Sequence, residues 1–278
     1  MKRWLVPATI VAIALCGLGV TTGYAQRIVS GFYGNAPPRF ATENSFQGSA
    51  FTFCRAMFQS NRREKRGWST DYPGADLNFS TRLAELTKAP VTMRQDTDED
   101  GQPDAVVVRL TDDALFKCPF VLMEDAGTAD FSAAEAKRLG EYLMKGGFVF
   151  ASDYWGPWAR DQFDEEIGLA LPRSRYPIVD IPLSHALWHT IYEVKTVPQM
   201  PSIQSWRRTG GNTDRGVTEP PSARGILDER GRLLVLMLHN TDVPDGWERE
   251  GEDPQYFYRF SPDAYAAGIN IVMYAMTH

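Results

Sequence analysis

Residues 118–125 read CPFVLMED, an apolar run closed by two carboxylates. A strand that is apolar at successive positions has no face to give to water, so it must be covered on both sides. The same signature recurs in DAVVVRL (104–110), FVFASD (148–153) and GRLLVLMLHN (231–240), and AFTFCRAMF (50–58) reads as a buried strand ending near Arg55. Between these runs lie segments of helical period. Leu77, Leu83 and Leu86 recur at helical spacing in GADLNFSTRLAELTK. DFSAAEAKRLGEYLMKGG starts with a Ser132/Glu135 capping box and stops at Gly146-Gly147. PWARDQFDEEIGLAL places Pro157 near a first helical turn. SPDAYAAGINIVMYAMTH is expected to be a helix capped by Ser261, with Pro262 at its first position. Apolar strands alternating with capped helices predict an α/β sandwich on a mostly parallel sheet. Residues 200–230, rich in Gly, Pro, Arg and Thr and without period, are expected to form a long loop, a feature that is often functional in compact domains.

The N-terminus has a different character. Lys2-Arg3 precedes an apolar run of 17 residues, Trp4 to Val20, followed by GYAQ. Gly23 and Ala25 fit a small-x-small cleavage pattern, so residues 1–25 are expected to be a signal peptide cut after Ala25. The run falls short of the roughly 20 residues of a membrane span, so no stable span is expected after cleavage. Leu15 before Cys16 is too large for a lipoprotein site. The expected organisation is this leader, a lead-in over 26–49, and one α/β domain over 50–278, in a periplasmic or secreted protein. Cleavage removes two positive charges and moves the formal net charge from -6 to -8. That acidic balance argues against nucleic acid as a partner, since such binding needs a basic footprint. The mature chain keeps Cys54 and Cys118, each in or beside an apolar run. Two buried core thiols is the expected state. A disulfide, permitted in an exported protein, would have to tie two core strands together. Without a nearby His the pair does not suggest zinc.

In open parallel sheets, ligands bind outside the carboxyl ends of the strands. The polar residues closing the apolar runs are therefore the first candidates: Arg55, Glu124 and Asp125, Ser152 and Asp153, and His239 and Asn240.

The segments GWSTDYPGADLNFSTRLAELT, DDALFKCPFVLMEDAG and LGEYLMKGGFVFASD resemble, in order and spacing, the domain-of-unknown-function 4159 family over roughly residues 50–275. The string from Trp68 to Asp76, Trp-x-x-Asp-Tyr-Pro-x-Ala-Asp, is the most specific part. The resemblance implies the class I glutamine-amidotransferase-like superfamily and a flavodoxin-like three-layer sandwich, but no known reaction. Working amidotransferases of that superfamily carry a nucleophilic Cys on a tight turn after a strand. The matching turn here, FASDYWG, offers Ser152, Asp153 and Trp155, and no Cys. His239 and Asp242 stand where the His and acid of such enzymes would follow. A serine mechanism would require Ser152 within about 2.6–3.2 Å of a His. Asp153 is a candidate general base, alone or with His239, against the plainer role of a helix N-cap.

Trp68, Asp71, Tyr72 and Asp76 could stack a sugar-like ligand and bind its hydroxyls; equally, Asp76 could satisfy helix N–H groups while the rings pack on the sheet edge. His185 and His189 in HALWH lie four apart but lack an intervening Glu, so His185 is retained only as a cleft candidate. Arg207 and Arg208 could clamp an anion, with a solvated charge pair the simpler reading.

DTDEDGQPD (96–104) fills positions 1, 3, 5, 7 and 9 of a calcium loop with Asp96, Asp98, Asp100, Gln102 and Asp104 around Gly101. Val107 stands where the closing bidentate Glu would be, and a strand follows, so the helix–loop–helix version fails. A structural calcium held by the shorter loop, or an acidic hairpin turn without metal, are the two expectations; no other cofactor is required. The function expected is binding of a small molecule or an extracytoplasmic protein by a fold lacking its nucleophile. The alternative is a hydrolase of carbohydrate-like or amide substrates acting through Asp153 and His239.

Overall fold

In a computed structural model, which describes residues 36–61, 67–95 and 101–278, the apolar runs are strands and the capped segments are helices. The strands are β1 (Phe53–Met57), β2 (Ala105–Arg109), β3 (Val121–Met123), β4 (Val149–Ala151), β5 (Ile178–Asp180), β6 (Ser222–Leu227) and β7 (Leu233–His239). The helices are α1 (Gly74–Thr87), α2 (Ala133–Met144), α3 (Gly156–Ala170), α4 (Ile203–Thr209), α5 (Asp245–Glu248) and α6 (Pro254–Thr277). One sheet runs β2-β1-β3-β4-β7-β6-β5. Its first five strands are mutually parallel, with Cys54 opposite Val106, Leu122 opposite Phe150 and Ala151 opposite Met237. β6 and β5 continue it antiparallel. This is the expected mixed α/β, flavodoxin-like three-layer sandwich.

Strand side chains alternate between faces, and that splits the interior into two cores. Phe53, Leu122, Phe150 and Leu236 cluster with Phe79 and Leu83 of α1 and Ile269 and Ile271 of α6. Cys54, Met123, Ala151 and Met237 cluster with Leu139 and Leu143 of α2 and Phe163 and Ile167 of α3. Each large side chain so buried contributes about 1.5–3 kcal/mol. Because both faces are covered among the described residues, the strand ends are where a binding site is to be sought.

Four expectations change. Cys54 and Cys118 form a disulfide with Cα atoms 6.1 Å apart, not two free thiols. The physical reason is register: β1 and β3 are parallel neighbours, which brings the segment just before β3 alongside Cys54. α6 starts at Pro254, where the Asp253 carboxylate accepts from the N–H groups of Gln255 and Tyr256, so Pro262 lies inside the helix and Ser261 does not cap it. The expected loop over 200–230 contains α4 and β6. Its period is masked by Gly225, where a Cβ would come within 2.5 Å of Leu233 Cδ1, so β6 can pack there only without a side chain. β1 also continues past Arg55 to Met57. The expected signal peptide lies outside the described residues. Among the described residues no helix is long and apolar enough to cross a membrane.

Candidate functional site

Parallel β1, β3, β4 and β7 release their chains at one end of the sheet, and the polar residues gather there. Arg55, on β1, is wholly buried. Its Nε lies 3.0 Å from both carboxylate oxygens of Asp76, in the first turn of α1, and Nη2 also contacts Asp76. Its Nη1 donates to the carbonyls of Thr70 (2.7 Å) and Trp68 (3.1 Å). One guanidinium thus fixes both the helix start and the loop before it. Trp68 and Tyr72 pack together with ring centres 6.0 Å apart, and the Tyr72 hydroxyl accepts from the Arg39 N–H at 2.9 Å. Tyr72 is buried and Trp68 half-buried, so these rings pack on the sheet end.

Beside this pair six carboxyl groups converge. Glu124 follows β3, Asp153 follows β4, Asp242 follows β7, Asp71 comes from the Trp68 loop, and Asp245 and Glu248 belong to α5. Carboxylate oxygens of Asp71, Asp242 and Asp245 lie within 4.8 Å of one another, as do those of Glu124, Asp153 and Asp242. Asp242 is common to both groups. Glu124 is fully buried and neither of its oxygens has a hydrogen-bond partner; the nearest guanidinium nitrogen, Arg55 Nη1, is 3.9 Å away. Oδ2 of Asp71 is likewise buried in the cluster. Arg249 Nε lies 2.7 Å from Glu248 and 3.4 Å from Asp245.

The backbone around this cluster is unusual. Asp71 (φ 60°), Asp125 (φ 47°), Asp153 (φ 51°) and Asn240 (φ 59°) all adopt the left-handed conformation. Asp and Asn tolerate that region better than other side chains, yet it is sparsely populated and gathers at functional sites. Here it turns each chain sharply at the sheet end and aims side chains inward.

Burial dominates the electrostatics. It pushes Asp71, Glu124, Asp153 and Asp242 well above the ordinary carboxyl range, reinforced by neighbouring carboxylates. Burial likewise raises Asp245 to about 7 and Glu248 to about 7. Asp76 is also raised by burial, opposed by Arg55.

Other candidates have structural duties. Ser152 is buried; its hydroxyl accepts from the Val243 N–H (3.3 Å) and donates to the Thr241 carbonyl (3.5 Å), with no imidazole partner. His239 Nε2 meets the Gly156 carbonyl at 2.9 Å, and since a carbonyl only accepts, Nε2 carries the proton. Its ring packs on Tyr154. Asp153 instead accepts from Trp155 Nε1 (3.1 Å) and Arg215 Nη2 (2.9 Å), so the hydrogen bonds of Asp153 and His239 run to different partners. Trp155, not Asp153, occupies the N-cap position of α3. Asn240 accepts from the Gly156 N–H and donates to the Pro220 carbonyl, pinning the start of α3 to the β6 side. His185 caps a 3-10 turn and packs on Tyr274, whose hydroxyl bonds Leu233 at the opposite, amino end of β7. His189 pairs with Glu193, and Arg207 with Glu252. Arg208 donates to the Ser205 hydroxyl.

Within the proposed calcium loop, Asp96, Asp98 and Asp100 lie outside the described residues. The Gln102 carbonyl accepts from the Arg94 N–H at 2.8 Å, and the buried Asp104 carboxylate is gripped by Arg39 at 2.7 and 3.2 Å. Met93 and Pro103 form an antiparallel bridge, the frame of a hairpin.

Sequence reasoning missed Asp245, Glu248, Arg249 and Arg215. Asp245 and Glu248 carried a signal: with Asp242 they recur every third residue in DVPDGWE, spacing that puts them on one side of a helical turn. Arg215 carried none. It arrives from the 200–230 segment and bonds both Asp125 (3.0 Å) and Asp153.

A model of a protein family described as a domain of unknown function (DUF4159) matches residues 57–276. No curated protein matches the chain.

Proposed function

The chain belongs to the DUF4159 family of domains of unknown function, and from that footing we propose an exported, amidotransferase-like binding module that takes a small polar ligand at the carboxyl end of its sheet. The observation that carries this reading is the turn after β4. Where an amidotransferase would present its nucleophile, the Ser152 hydroxyl is engaged by backbone on both sides, and a ring of carboxyl groups stands in its place. Such a ring suits a ligand rich in hydroxyl, amine or metal character. Export is supported by Lys2-Arg3 ahead of the apolar run and by the Cys54–Cys118 disulfide, a bond that persists in oxidising compartments.

The test is a thermal-shift screen of the exported protein against sugars, amino-acid amides and nucleotides, repeated with Asp153→Ala. A ligand of this crevice raises the melting temperature of the wild type and loses that effect in the variant. Stabilisation that survives the substitution assigns the ligand elsewhere.

One observation favours a hydrolase as the second reading. Asp245 and Glu248 are raised to about 7 beside other carboxyl groups, the range in which a carboxyl both gives and takes protons at neutral pH. In that reading Asp153 serves carbohydrate-like or amide substrates as base. Turnover of chromogenic glycosides or anilides, abolished by Asp153→Asn, would support it; no turnover by the folded wild type removes it.

A further inference from the structure

We infer that the carboxylate cluster is a site for two divalent cations bridged by Asp242. The two groups of oxygens within 4.8 Å, Asp71/Asp242/Asp245 and Glu124/Asp153/Asp242, each have the span of ligands around one ion, and they meet in a single residue. A carboxylate with one oxygen toward each position is how paired ions about 3.5–4 Å apart are commonly held.

Glu124 is the independent observation. A carboxylate at 0% exposure with no donor on either oxygen is rare in folded proteins and costly unless something satisfies it. The surrounding guanidiniums do not: Arg55 is committed to Asp76, and its nearest nitrogen stays 3.9 Å away. Glu124 is aimed at Asp153 and Asp242, so the missing partner lies in the cluster itself.

The outer contacts also have the form of a ligand shell. The Asp245 N–H donates to Asp242 Oδ1 at 3.1 Å, and Trp155 and Arg215 hold Asp153. Asp245 Oδ2 accepts from the Ile203 N–H and the Tyr256 hydroxyl. Asp153, Asp242 and Asp245 are thereby fixed in orientation while keeping lone pairs for an ion. All donors are carboxylate oxygens, so the ions are hard cations: magnesium, manganese or calcium, not zinc or copper.

This inference shares the crevice with the binding-module reading but stands separately, because cations alone test it. Manganese is titrated into the exported, disulfide-intact protein, with Asp98→Ala/Asp100→Ala introduced so that the 96–104 loop does not contribute. Bound ion is counted by calorimetry and by electron paramagnetic resonance. The expected result is two equivalents with a dipolar-coupled spectrum, competed by magnesium or calcium. Asp242→Asn loses both equivalents, while Glu124→Gln loses one and its coupling; near-UV circular dichroism verifies that each variant is folded. No binding at millimolar manganese, a single equivalent in the parent, or two equivalents surviving in folded Glu124→Gln overturns the inference. A ligand-screen hit that needs no metal leaves the binding reading intact even then.

Discussion

Arg55 and Asp76 bury a guanidinium and a carboxylate completely against each other, one from β1, beside the β2 edge of the sheet, and the other from the first turn of α1. Removing one partner of such a pair strands a charge in the interior, at a cost of about 3–5 kcal/mol. Asp76→Ala is therefore expected to lower the unfolding free energy by that order in urea titrations. It should also loosen the Trp68–Thr70 loop, because Arg55 holds that loop's carbonyls. A loss under about 1 kcal/mol would show that the pair is not what anchors α1 to the sheet.

The Cys54–Cys118 bond joins residues 64 apart in sequence. Closing a loop of that size removes freedom from the unfolded chain and is worth about 2–4 kcal/mol. The Cys54→Ala/Cys118→Ala protein should unfold at correspondingly lower urea concentration, and reduction of the wild type should bring its midpoint down toward the variant's. Identical midpoints for oxidised wild type and double variant would mean the bond does not form in the folded protein.

His239 supplies a pH limb. Burial lowers its imidazole below the ordinary 6.5. Between the depressed folded value and 6.5 the unfolded chain binds a proton that the folded chain refuses, so stability rises with pH through that window and is complete above it. His239→Gln keeps an N–H donor for the Gly156 carbonyl but cannot titrate. Melting temperatures of both proteins from about pH 5 to about pH 8 should show the wild type gaining relative to the variant as pH rises. A difference that is flat across the range rejects a buried neutral His239.

The strands were legible because burial on both faces leaves a continuous apolar run, and the end of each run names the residue that leaves the sheet: Glu124, Asp153 and His239 were found this way. What those residues do was not legible. Asp153 follows β4 and His239 ends the neighbouring β7, yet Trp155 and Arg215 claim one while the Gly156 carbonyl claims the other. Side-chain direction at a strand end depends on the left-handed turn there, which composition does not reveal. Arg215 was invisible for a related reason: a single basic residue in an aperiodic segment becomes part of the site only through the path of the chain between α4 and β6.

A residue retained for binding and not for packing should leave the protein more stable when its unsatisfied polar group is replaced, and Glu124 offers that test. In the absence of cations its carboxylate is buried without a donor, beside Asp153 and Asp242. Glu124→Gln keeps the shape, cannot ionise, and offers amide N–H groups to those acceptors. Relief of an unsatisfied buried polar group is worth about 1–3 kcal/mol, so the variant is expected to unfold at higher urea concentration than the wild type in the presence of a chelator. Stabilisation on loss of a site residue is the usual mark of a site held at the expense of stability. With saturating manganese the order should reverse, because binding to the folded wild type adds stability that the variant lacks. Destabilisation by Glu124→Gln in chelator would instead make Glu124 a structural residue of the sheet end.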